Sequence, residues 1–182
     1  MTALPRLIGL VGYQRSGKTT TARLLDDQHG YIWTRFAGPL KEMLKCLGLT
    51  DEHLDGTLKN TPCELLGGKT PVQAMQFLGT EWGRKMIFSD LWLNVWEARV
   101  RQLLEAGHRV VVDDVRFGNE AALVRNLGGE LWLITRPGVS RGSDHPSEDF
   151  VAECKPTLVL PNPGTTTEDL LVVIRRALGA VS

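Results

Sequence analysis

Two periods of apolar spacing run along the 182-residue chain. Short apolar runs at 7–11, 31–36, 109–114, 130–135 and 157–160 read as strands; the run at 110–112 is wholly apolar and ends in Asp113 and Asp114, which suits a strand buried on both faces of a parallel sheet. Between them, helical spacing appears at 17–28, ahead of Gly30, and at 37–44, where Pro39 sits in the first turn and Gly48 follows. A helix starts at 71–79, and a longer one begins after Asp90 with Leu93, Trp96, Val100 and Leu103 on one face before Gly107. The stripe predicts Trp92 and Trp96 in the core. Further helices are expected at 119–127, closed by Gly128-Gly129, and at 168–178, with Thr165 or Thr166 starting a capping box and Gly179 beyond the end. Residues 49–70, with Gly56, Pro62, Gly67 and Gly68, read as loop with broken helix, and 136–147 as a polar loop. Strands alternating with helices predict an α/β fold, a doubly wound parallel sheet of about five strands flanked by helices.

The first apolar run leads into Gly12-Tyr13-Gln14-Arg15-Ser16-Gly17-Lys18-Thr19, the pattern G-x-x-x-x-G-K-T of a P-loop. At ordinary composition it arises by chance about once in thirty thousand start positions, and here it falls between a strand and a helix as the motif requires. Its glycines let backbone N–H groups curl round one anion at the positive end of the following helix. Gly12, Gln14, Arg15, Ser16, Gly17, Lys18, Thr19 and Thr20 are thus the expected nucleotide-binding residues, with Lys18 on the β/γ-phosphates and the Thr19 hydroxyl a Mg²⁺ ligand. The two acids at 113–114 end a strand, where open α/β sheets place their ligands; either could serve the metal, with Asp113 the metal-side choice and Asp114 the substrate-side one.

Lys plus Arg and Asp plus Glu number 21 each, so the formal net charge is zero and no sequence-wide basic field exists to hold nucleic acid. Three scattered cysteines argue against zinc and a disulfide framework, and no apolar stretch reaches membrane-spanning length. A soluble protein of a reducing cytoplasm is expected, with no membrane partner. The N-K-x-D signature by which GTPase switches read guanine is absent. A small kinase would need cations near its phosphates, and Arg15, Arg35, Lys41, Arg84, Arg116, Arg136 and Arg141 all lie in or beside predicted loops.

The series Gly79-Thr80-Glu81-Trp82-Gly83-Arg84-Lys85-Met86-Ile87, Asp90-Leu91-Trp92, Asp113 to Ala121, Arg136-Pro137-Gly138, Asp144-His145-Pro146-Ser147-Glu148 and Asn162-Pro163-Gly164 resembles the phage-type deoxynucleoside monophosphate kinases over nearly the whole chain. Two positions depart from that pattern. Thr19 stands where the family often has Asp, and Pro163 replaces a polar residue often seen before the glycine. The resemblance implies ATP- and Mg²⁺-dependent phosphorylation of a deoxynucleoside 5′-monophosphate on a single P-loop kinase domain spanning 1–182. It also implies an acceptor-side helical insertion over about 37–106 and a lid over about 136–148. Lys18, Arg116, Arg136 and Arg141 would be catalytic; Arg35, Lys41, Glu81, Trp82, Arg84, Asp114 and Arg116 would bind the acceptor, and Thr19 and Asp113 the metal. His145 reads as a loop residue, because an ionised phosphate monoester needs no general base. A kinase of hydroxymethylated bases in DNA and a non-catalytic nucleotide-binding regulator remain alternatives, and a homodimer stays open as a partner.

Overall fold

A computed structural model describes residues 4–141 and 146–179, with only the backbone of 146–148. Five parallel strands form one sheet in the order β2-β3-β1-β4-β5: β1 Leu7–Val11, β2 Tyr31–Thr34, β3 Arg109–Val112, β4 Glu130–Thr135 and β5 Leu158–Pro161. Every residue of β1 is buried, as a central strand covered on both faces requires. Burying each of its Leu, Ile and Val side chains contributes about 1.5–3 kcal/mol. Helices α1 Lys18–His29, α6 Gly118–Asn126, α7 Pro146–Glu153 and α8 Thr167–Ala177 alternate with the strands. One core combines Ile8, Leu10, Leu25, Trp132, Ile134, Leu170 and Ile174. Thr166, of the two threonines proposed, caps α8: its hydroxyl accepts from the Asp169 N–H at 3.1 Å.

The chain divides into two compact units, one of residues 1–35 with 99–182 and one of 36–98. The second is helical. It holds α2 Gly38–Cys46, α3 Asp51–Leu54, short 3₁₀ turns at Thr57–Asn60 and Glu64–Leu66, α4 Pro71–Gln76 and a π-helix at Phe77–Ile87. The first part of α5 Leu91–Glu105 completes it. Leu40, Leu44, Leu49, Leu54 and Trp92 form its core, and Phe36 stacks on Trp96 with ring centroids 4.3 Å apart. Both tryptophans are therefore interior, as their spacing predicted.

Periodicity foresaw neither α7, which begins where a polar loop was expected, nor the π-helix. Its wider turn, seen in the 3.0 Å bond from the Phe88 N–H to the Gly83 carbonyl, keeps Gly79 and Gly83 buried. Trp92 lies against Gly83, where a Cβ would come within 2.7 Å of the indole ring, and its Nε1 donates to the Gly79 carbonyl at 2.8 Å. No helix among the described residues is long and apolar enough to cross a membrane.

Candidate active site

All five strands are parallel, so their carboxyl ends lie along one edge of the sheet. Each end leads into a polar residue or loop with chemistry. β1 runs into the P-loop, β2 into Arg35, β3 into Asp113 and Asp114, β4 into Arg136, and β5 into Asn162. Register sharpens this: Thr34 pairs with Val112 and Thr135 with Pro161, so Arg35 and Asp113 follow one pair directly and Arg136 and Asn162 follow another.

The loop has the backbone its glycines were expected to permit. Gly12 (φ 152°) and Gly17 (φ 105°) occupy conformations that disfavour side chains, and Cβ atoms there would fall 2.6 Å from the Ile134 carbonyl and 2.3 Å from Asn162 Nδ2. Arg15 is the only non-glycine with positive φ (67°) among the described residues. Lys18 Nζ donates to the Gly12 carbonyl at 2.6 Å and the Tyr13 carbonyl at 2.9 Å, curling back over its own loop. The Ser16 hydroxyl is buried with no hydrogen-bond partner among the described residues. These features fit an anion cradle: a closed backbone hollow, a cation over it and an orphaned donor inside it. Gln14 and Thr20 are exposed on the loop and on the first turn of α1.

Of the two strand-end acids, Asp113 reaches the loop. Its buried carboxylate accepts from the Thr19 hydroxyl at 2.7 Å through Oδ2 and from Arg35 Nε at 3.1 Å through Oδ1. Two hard oxygens side by side, one from Thr19 and one from Asp113, suit a small divalent cation such as Mg²⁺. Arg35, expected on the acceptor side, is thus held by the metal-side acid, with its guanidinium 4.3 Å from the centroid of the Trp33 ring. Arg116 is exposed in the turn before α6, two residues beyond Asp114. Sequence reasoning missed what fixes that turn: the buried Glu120 carboxylate accepts from the Arg116 N–H at 2.7 Å and the Phe117 N–H at 3.2 Å. Glu three residues into a helix was the available signal, but the preceding Phe117 is no capping residue and hid it.

Arg136 donates to the Arg15 carbonyl at 3.5 Å and the Gly164 carbonyl at 3.3 Å, which ties it to the loop it was expected to cover. Arg141 pairs with Asp149 on α7 at 2.7 Å. The middle of the expected lid, including Asp144 and His145, lies outside the described residues. Beside the loop is a cavity of about 270 Å³, lined by Tyr13, Leu133, Thr135, Val139, Val151 and Arg136 among others.

The remaining acceptor-side expectations fall in the helical unit. Lys41 pairs with Asp55 at 2.5 Å, Glu81 with Lys85 at 2.8 Å across one turn, Trp82 lies 6.3 Å from the Trp92 ring, and Arg84 is half-buried. Each belongs to that unit.

No family model matches the chain. Among solved structures, dephospho-CoA kinase from Campylobacter jejuni (15% identical, 97% of this chain and 99% of that one, TM-score 0.49) aligns along nearly the full length. So does shikimate kinase from Aquifex aeolicus (16%, 96% and 96%, TM-score 0.48). Both stay below a TM-score of 0.5, and sheet order and P-loop carry the fold on their own. Curated proteins are nearer. The chain is 30% identical over 89 residues to the deoxynucleoside-5′-monophosphate kinase of Escherichia phage T5, covering 45% of this chain but 35% of that protein. It is 39% identical over 175 residues, 89% of this chain and 91% of the relative, to a protein of Acanthamoeba polyphaga mimivirus provisionally named deoxynucleotide monophosphate kinase. With that identity over 89% of its length and 91% of the relative's, the chain belongs to the deoxynucleotide monophosphate kinase family.

Proposed function

We propose that the protein transfers the γ-phosphoryl group of ATP to a deoxynucleoside 5′-monophosphate. An oxygen of the acceptor phosphate forms the new P–O bond, the β–γ bridging bond breaks, and ADP and the deoxynucleoside diphosphate leave. The observation that carries this reading is the 39% identity across 91% of the mimiviral relative. The P-loop supports the donor half of it.

The acceptor phosphate is already an anion at pH 7, so the residues position and neutralise rather than deprotonate. Lys18 exchanges its bonds with the Gly12 and Tyr13 carbonyls for the β/γ-phosphates. The Thr19 hydroxyl and the Asp113 carboxylate would hold Mg²⁺, which would supply neutralisation of phosphate charge. Arg136, braced on the Arg15 and Gly164 carbonyls, keeps positive charge over the loop, and the adjoining cavity receives the donor nucleoside. Arg116, its backbone fixed by Glu120, presents a planar fork to the acceptor phosphate. Arg35 takes the next share of that charge; Asp114 in the sheet unit, and Lys41, Glu81, Trp82 and Arg84 in the helical unit, are each unit's further candidates for acceptor contacts. Arg141 acts from the lid side.

The test supplies γ-labelled ATP and Mg²⁺ with a mixture of free deoxynucleoside monophosphates and DNA containing hydroxymethylated bases, followed by separation of small molecules from polymer. Label is expected on the free nucleotides at moderate salt, thymine and guanine forms foremost. Label on the polymer would move the activity to DNA, and no acceptor-dependent label would leave a nucleotide-binding regulator.

A further inference from the structure

Asn162 is buried, 6% exposed, and no part of the phosphoryl-transfer chemistry above uses it. Its side-chain amide faces two ways. Oδ1 accepts from the Gly164 N–H at 3.0 Å, a bond within its own turn that any turn-forming asparagine makes. Nδ2 reaches across 146 positions of sequence to the Ser16 carbonyl at 2.8 Å, inside the phosphate loop. The backbone is held too, by the Asn162 N–H donating to the Thr135 carbonyl at 2.7 Å, and Gly164 in turn accepts from Arg136.

We propose that Asn162 is a positioning residue for nucleotide binding: its Nδ2–H···O bond fixes the plane of the Ser16–Gly17 peptide. A trans peptide points its C=O and N–H in opposite directions, so a carbonyl pinned toward Asn162 aims the Gly17 N–H away from it. The orientation of a donor at the loop's closing glycine is therefore set by the turn after β5. The same contact gives a second reason for Gly17, since a Cβ there would lie 2.3 Å from Nδ2. Through Gly164 the turn also steadies Arg136, so two cationic or donor groups of the donor site share one support. A merely structural asparagine would need only the bond within its own turn.

The proposal rests on the reading of this loop as a phosphate site, and its test uses binding rather than turnover. Wild-type chain, Asn162→Asp and Asn162→Ala are compared for displacement of a fluorescent ATP analogue by ATP and by tripolyphosphate, and for melting without ligand. Aspartate keeps the Oδ1 bond and replaces the donor facing Ser16 with an acceptor; alanine removes both without adding charge. At a temperature where each is folded, both variants are expected to weaken both ligands by about tenfold, while ligand-free melting falls by several degrees, more for aspartate, which sets a carboxylate against the Ser16 carbonyl. Unchanged ATP affinity in the alanine variant, weakening confined to the aspartate variant, or weakening that merely follows a fall in melting temperature would each overturn it. Wild-type chain that binds neither ligand would overturn the phosphate-site reading itself, and the proposal with it. If the variants do not fold, the Asn162 side-chain amide protons are followed by NMR in the wild-type chain. A shift on adding ATP is expected, and an unmoved signal counts against the role.

Discussion

The strand-end cluster and the helical unit use their residues in opposite ways. In the first, side chains bond to backbone and to each other, Lys18 within its own loop and the others across long sequence distances: Thr19 and Arg35 to Asp113, Asn162 to Ser16. In the second, the pairs on exposed faces are ordinary ones, Glu81 with Lys85 and Lys41 with Asp55, and the tightest fit is one of shape, Trp92 against Gly83. Apolar side chains there also face outward: Phe77, Met86, Ile87 and Phe88 are all at least half exposed. Chemistry is held by directional bonds at one place and by packing at the other, so the two should fail differently under substitution.

The largest separation is expected from Lys18→Ala. Phosphoryl transfer should fall by at least about a hundredfold, since a preorganised charge at the phosphates is lost. Stability should change by less than about 1.5 kcal/mol, because hydrogen bonds from a part-buried side chain to loop carbonyls are each worth little net. Steady-state turnover and thermal melting of one preparation decide it, and turnover near wild type removes the loop from the mechanism. Gly83→Ala tests the other side. Placing a methyl 2.7 Å from the Trp92 ring should cost about 2 kcal/mol and lower the melting temperature by about 4–8 °C. A variant that melts with wild type would show that the π-helix yields where the packing account says it cannot.

The smallest effect lies in neither feature. Burial, and then the charges of Arg175 and Arg109, hold the His29 imidazole below its ordinary value of 6.5. The unfolded chain therefore takes up the proton more readily, and stability should decline as pH falls below about 6.5 and be level above it. His29→Gln should flatten that decline, by at most about 1 °C once solvent screening is allowed for. Parallel pH–melting profiles of the two chains would refute it.

The same contrast explains what could be read in the sequence. The P-loop, the five strands and the strand-end acids were legible because strand burial and loop geometry impose residue types at fixed spacing, as with Gly12 and Gly17. Trp92 and Trp96 were legible as core from one helical stripe. The π-helix was not, since the helix read from 71 stopped at Gly79 and spacing does not show that Trp92 fills the space Gly83 leaves. Nor could spacing tell that Asp113 rather than Asp114 meets Thr19, that Arg35 binds that acid, or that Asn162 supports the loop. Those facts depend on which strands are neighbours, and the sequence states strands without their order.

Lys18 resting on the Gly12 and Tyr13 carbonyls has a kinetic consequence. On the donor-site reading proposed above, an incoming phosphate meets a loop already curled to shape, with its cation parked a short swing away, so association needs a bond exchange and no refolding. Part of the attraction between lysine and phosphate is spent on releasing those carbonyls, which weakens the complex without slowing its formation. A kinase that must shed ADP after every turnover gains from that balance: the same two carbonyls that compete for Lys18 on entry reclaim it on exit, and the loop is left ready for the next nucleotide.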